Sequence, residues 1–196
     1  MQHPEMLLGV IFLLCLVSVP LAGGRLGALA EMELRATWLV LAGLGAQILV
    51  ISVFPDGAGV LHTGVHLASY AFIAAFVAAN WTRVPFVWLI ALGGALNLVA
   101  IAANGGVMPA DPDALAAAGI VTPEGEFSNS TAVSDPELSF LGDVLYLPSS
   151  WPVHNVFSVG DVLIVIGTFL ALHTIGGSKL AFNALATLPP APRPAG

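Results

Sequence analysis

The sequence predicts an all-α, polytopic membrane protein with five transmembrane helices, and three observations predict it. Of its 196 residues 57% are hydrophobic and only 9% charged, whereas roughly a quarter of a soluble domain is charged. The mean hydropathy is +0.92. Five apolar segments, near 6–22, 37–54, 59–79, 86–103 and 156–175, approach the about 20 residues that a span requires. Within lipid the backbone must bond to itself, which selects helices. The alternating ten-residue segments of a membrane β-barrel are missing.

The elements follow in order. The first segment is preceded by "MQHPE", whose acid is foreign to the basic flank of a signal peptide, so cleavage after "LAGG" is not expected. Cys15 is single, which excludes a disulfide framework. "GGRLGALAEMELRA" joins the first two segments and "NWTRVP" the third and fourth. The turn "FPDGAG" breaks the second from the third. Arg25, Arg35, Arg83, Lys179 and Arg193 all fall on one side if the helices alternate. The positive-inside rule makes that side cytoplasmic, with the N-terminus out and the C-terminus in. Residues 1–178 then form one domain and 179–196 a Pro-rich cytoplasmic tail.

The loop from Asn104 to Asn155 carries seven acids and no Lys or Arg. "DPDALAAAG" and "DPELSFLG" share an Asp cap, a Pro at the first helical position and a Gly stop, which predicts short helices at 112–118 and 136–141. The link "VTPEGEFSNSTAVS" has no periodicity and reads as mobile. Tyr146 and Trp151 suit a membrane surface. Asn80–Trp81–Thr82 and Asn129–Ser130–Thr131 match the glycosylation pattern, but the first faces inward by this topology.

"GDVL" occurs twice, at Gly142–Leu145 and Gly160–Leu163. In the second copy Ser158 and Asp161 have the spacing of a capping box. Asp161 also has company: Asn97, Gln47 and His66 fall at one level, roughly 8–10 Å below the outer ends of their segments, with His62 one turn above. Three readings compete for this layer. It can be interhelical hydrogen bonding alone, or a ligand or cation site with Asp161 as the charge. The third reading is a metal on "HTGVH", which lacks the Glu of HExxH. No metal and no cofactor is assigned.

GxSxG, P-loop and GxGxxG patterns are all missing, which argues against the commonest enzyme classes. Outward-facing cations are missing too, which argues against a phosphate gripped from outside. Nothing points to nucleic acid.

"NLVAIAANGGVMP", "FLGDVLYLP" and "NVFSVGDVLIVIG" resemble, in that order, an uncharacterised family of bacterial multi-pass membrane proteins known as a domain of unknown function. The likeness runs from the first apolar segment to the fifth. It places the family's motif residues at Asn104, Gly105, Gly106, Met108 and Pro109, at Gly142 and Asp143, and at Asn155, Ser158, Gly160 and Asp161. The resemblance implies a bacterial inner membrane and five helices but no activity. The expectation is a non-enzymatic membrane protein, binding a membrane partner, a small ligand or a cation, in contact with lipid, another membrane protein or its own copies. The alternatives are a transporter or channel subunit using Asp161, and an intramembrane enzyme pairing His66 with Asp161.

Overall fold

Each of the five apolar segments winds into a helix, because long runs of Leu, Ala, Val and Ile satisfy their backbones internally and carry few groups that compete. The computed structural model describes residues 6–53, 60–120 and 130–181. The long helices are α1 (Met6–Leu21), α3 (Trp38–Val53), α4 (Val60–Ala79), α5 (Val87–Ala103) and α7 (Val159–Ile175). A single turn, α2 (Gly27–Ala30), follows α1.

The five-span reading does not survive. Among the described residues no helix is long and apolar enough to cross a membrane. Helices α1 and α3 have 16 residues, and α5 and α7 have 17. At a rise of 1.5 Å they reach about 24–26 Å, short of a hydrocarbon core of about 30 Å. Helix α4 has 20 residues, but His62, Thr63, His66, Ser69 and Tyr70 interrupt its apolar run. The apolar windows misled because they counted residues outside helices: Val156 and Phe157 belong to a strand. The N-out/C-in assignment, which rested on the spans, falls with them.

The all-α description is corrected as well. Strands β1 (Met108–Pro109) and β2 (Ser130–Thr131) pair in parallel, and β3 (Leu145–Leu147) pairs antiparallel with β4 (Asn155–Phe157). The parallel sheet and strand β3 lie within the long acidic loop, together with α6 (Pro112–Ala118), and β4 carries the chain from the loop into the fifth apolar segment. Helix α6 starts where its cap grammar says: the Asp111 carboxylate accepts from the backbone N–H groups of Asp113 and Ala114, and Gly119 ends it at φ +68°. The second short helix shrinks to a 3-10 turn, Ser139–Leu141. Its first residues are captured elsewhere. The Asn104 side chain accepts from the Glu137 N–H at 2.9 Å and donates to the Glu137 carbonyl at 2.8 Å, and Leu138 turns left-handed at φ +53°.

Three main seams hold the long helices, and α4 also meets α5. Helices α5 and α7 run antiparallel in the closest contact, with α3 against α4 and α1 against α7. Glycines set the first distance. A Cβ at Gly93 would strike the Gly160 carbonyl and come within 2.9 Å of Ile164, and one at Gly167 would come within 2.8 Å of Ile90. Removing side chains there lets the two backbones touch. At one end of the bundle Asn80, fully buried, bonds both backbone groups of Arg35 at 2.8 Å and so pins the start of α3 to the end of α4. At the same end Arg25 N–H donates to Gly176 O and Lys179 N–H to Ala22 O, joining the exits of α1 and α7. The described cations therefore gather at one end, and the acidic loop lies at the other.

Candidate functional site

The polar layer is built at the α5–α7 seam, beneath the acidic loop. Strand β4 delivers Ser158, whose backbone is extended at ψ 168° and whose hydroxyl accepts from the Asp161 N–H at 3.0 Å. The Asp161 Oδ2 accepts in return from the Ser158 N–H at 3.0 Å. This is the reciprocal capping box that the Ser-x-x-Asp spacing predicts. Asn97 of α5 adds the interhelical part. Its Nδ2 donates to Asp161 Oδ1 at 2.8 Å, and its Oδ1 accepts from the Ser158 hydroxyl at 2.8 Å. Four hydrogen bonds thus close one ring over three side chains. Each carboxylate oxygen of Asp161 receives a donor, and the N-terminus of α7 favours its charge.

The small residues are part of the same device. A Cβ on Gly160 would fall on Asn97 Oδ1 and within 2.6 Å of Gly93 O. Only glycine lets the amide of Asn97 reach the cap. Gly142 obeys the same rule in the first Gly-Asp pair. A Cβ there would fall on the Pro109 carbonyl, which accepts from the Asp143 N–H at 2.9 Å. Asp143 is buried, and its own carbonyl accepts from the Asp111 N–H at 3.1 Å. Gly105 and Gly106 take φ +69° and +96°, a left-handed turn after which Met108 packs back on Ala100 and Ile101 of α5. Asn155 is buried in β4, its Oδ1 accepting from the Val156 N–H at 2.9 Å.

The two Gly-Asp pairs share a neighbour that sequence reasoning missed. Tyr70 of α4 packs with Leu141 against Ala100, Ile101 and Met108. Its phenol pKa is pushed up to about 12, first by burial and then by the negative charges of Asp161 and Asp143. Two carboxylates from different elements thus act electrostatically on one phenol and favour its neutral form. The available signal was helical spacing: His62, His66 and Tyr70 lie four residues apart on α4. The side chains of Gln47, His62 and His66 lie outside the described residues. The structure therefore brings Asp161 to Asn97 and adds Ser158 and Tyr70. Among the described residues no group of three or more His, Cys, Asp or Glu is placed to hold a metal.

A second polar cluster sits at the opposite end of α7. His173, 0% exposed, has Nε2 at 2.9 Å from the Ser18 hydroxyl and Nδ1 at 2.6 Å from the Ser178 hydroxyl. The tautomer follows from the neighbours. Ser18 donates to the Cys15 carbonyl, so it accepts from Nε2–H; Ser178 accepts from the Leu180 N–H and donates to Nδ1. Phe169 covers the ring with centroids 4.2 Å apart. Burial pushes the imidazole pKa down.

A family model described as a family of unknown function, DUF5317, matches residues 31–173. The chain belongs to the DUF5317 family. The match starts after α1 and reaches into the last turn of α7, narrower than the whole-chain likeness read from the sequence. It contains the α5–α7 seam, the long loop and both Gly-Asp pairs of this DUF5317 chain. No curated protein and no solved structure matches it.

Proposed function

We propose that this DUF5317 chain is a non-enzymatic module of a bacterial membrane, whose apolar helix faces are covered by lipid and whose Asp161 ring holds two helices in register. One observation carries the lipid contact. Among the described residues, large apolar side chains stand exposed on all five long helices: Phe12, Leu13, Leu14 and Val17 on α1, Trp38, Leu41 and Leu44 on α3, Ile73 on α4, Trp88, Leu92 and Val99 on α5, and Ile166 on α7. Leu41 is 69% exposed and Leu14 61%. Monomeric soluble proteins rarely leave apolar area uncovered on this scale. The exposed faces are spread over the bundle, so a continuous apolar medium covers them more simply than one docked protein.

The role of Asp161 is read from its bonding. Both oxygens are satisfied by groups of the protein, which favours a fastening role over a charge held ready for a ligand. Buried polar side chains that bond across helices contribute about 0.6–2 kcal/mol in membrane bundles.

Carbonate washing of membranes from cells expressing the chain tests the lipid contact. The chain is expected to stay in the lipid pellet. Release as a monodisperse monomer into the wash contradicts the reading.

A further inference from the structure

The end of the bundle that carries the cations also carries three of the four tryptophans, and together they define a surface of specific chemistry. Trp38 opens α3, Trp81 follows α4 and Trp88 lies in the first turn of α5, all exposed. Arg25, Arg35 and Lys179 are exposed and Arg83 partly so. The hydrogen bonds at this end bring them together. Asn80 fastens Arg35 beside Trp81, and Arg83 Nε donates to the Glu33 carbonyl at 3.2 Å. Lys179 and Arg25 join through the paired exits of α1 and α7. Two acids share the surface, Glu31 and Glu33. Glu31 is taken by Arg25 at 3.3 Å, so Arg35, Arg83 and Lys179 stand against Glu33. The far end is different in kind: its loop presents Asp111, Asp113, Asp135 and Glu137, with no Lys or Arg.

We infer that the Trp38–Trp81–Trp88 end is a docking surface for anionic phospholipid headgroups, the indole rings lying at headgroup depth and Arg35, Arg83 and Lys179 meeting the lipid phosphates. The inference rests on the lipid contact proposed above and adds which end meets the headgroups and which lipid it selects. Tryptophan favours the interface because its ring is apolar and its N–H is a donor. A Lys or Arg near an anionic surface is drawn to it, and salt screens the attraction.

The test uses the full chain carrying Trp151→Phe, which leaves only the three tryptophans of this end. It is reconstituted into phosphatidylcholine vesicles in which three lipids of ten are phosphatidylglycerol. Either the phosphatidylcholine or the phosphatidylglycerol carries brominated acyl chains, and quenching of tryptophan fluorescence is compared. Brominated phosphatidylglycerol is expected to quench as though enriched at least about threefold around the tryptophans. The enrichment should vanish in high salt, and in Arg35→Gln/Lys179→Gln. Equal quenching per lipid by the two species overturns the headgroup selectivity while leaving lipid contact intact. Absence of quenching by either lipid overturns the lipid contact itself, and this inference with it.

Discussion

Helix α7 is fastened differently at its two ends, and the contrast explains what each polar cluster does. Against α5 its N-terminal half carries a charge, Asp161, inside a ring of four hydrogen bonds, and glycines bring the backbones into contact. Against α1 its C-terminal turn carries a neutral imidazole between two hydroxyls, packed on Phe169 beside a cluster of Cys15, Val19 and Leu172. The charged ring sits at a helix N-terminus, where the unpaired N–H groups and the dipole favour an anion. The neutral ring sits at a C-terminus, where burial disfavours the imidazolium. Burial keeps the imidazole in the neutral form that its two hydroxyl neighbours satisfy.

The largest expected effect comes from closing the space at the charged seam. Gly160→Ala places a methyl on Asn97 Oδ1 and should cost about 3 kcal/mol, read as a lowered unfolding temperature of the purified chain. The next comes from Asn97→Ala, which strips a donor from Asp161 and an acceptor from Ser158. A loss of about 2–3 kcal/mol is expected. Neither substitution should disturb the α1–α7 seam, so the environment of His173 followed by its ring resonances in NMR should stay as in the parent. A shared change would show that the two ends are one unit.

The seams should also separate by pH. His173 has a folded pKa below its unfolded value of about 6.5. Its contribution to stability is whole above that value and declines as pH falls below it, because the unfolded chain binds the proton more readily. His173→Gln should flatten this acid limb. Tyr70 acts with the opposite sign. Its pKa is raised to about 12, so the folded state keeps its proton longer, and stability should decline as pH rises above about 10. Tyr70→Phe should remove that alkaline limb. The smallest effect is expected outside both seams: Phe140→Ser, on the exposed turn of the loop, should stay within about 0.5 kcal/mol.

Much of the local structure was legible because it depends on neighbours in sequence. The Asp111–Pro112 start and Gly119 stop of α6, and the Ser158–Asp161 cap, are short-range grammar that tertiary contacts do not overrule. The helix at 136–141 was lost because Asn104, more than thirty residues away, takes the backbone groups of Glu137. Asn80 matched a glycosylation pattern, yet its Nδ2 is spent on Arg35 and Phe76 carbonyls inside the fold. The meeting of Asn97 with Asp161 was legible as a shared level. Tyr70 carried only its four-residue spacing from His66, which gives no sign of which carboxylates will act on it. The spans failed for a plainer reason: hydropathy windows count apolar residues and cannot see where a helix stops and a strand begins.

The bond between Asn97 and Asp161 is the central fastening of α5 to α7. A double-mutant cycle of Asn97→Ala and Asp161→Ala, read by thermal or denaturant unfolding, measures that bond directly. A coupling of about 1–2 kcal/mol is expected, with the double variant losing less than the two single losses combined. Strict additivity would contradict it: each side chain would then act alone, and the seam would owe its closeness to the glycines only.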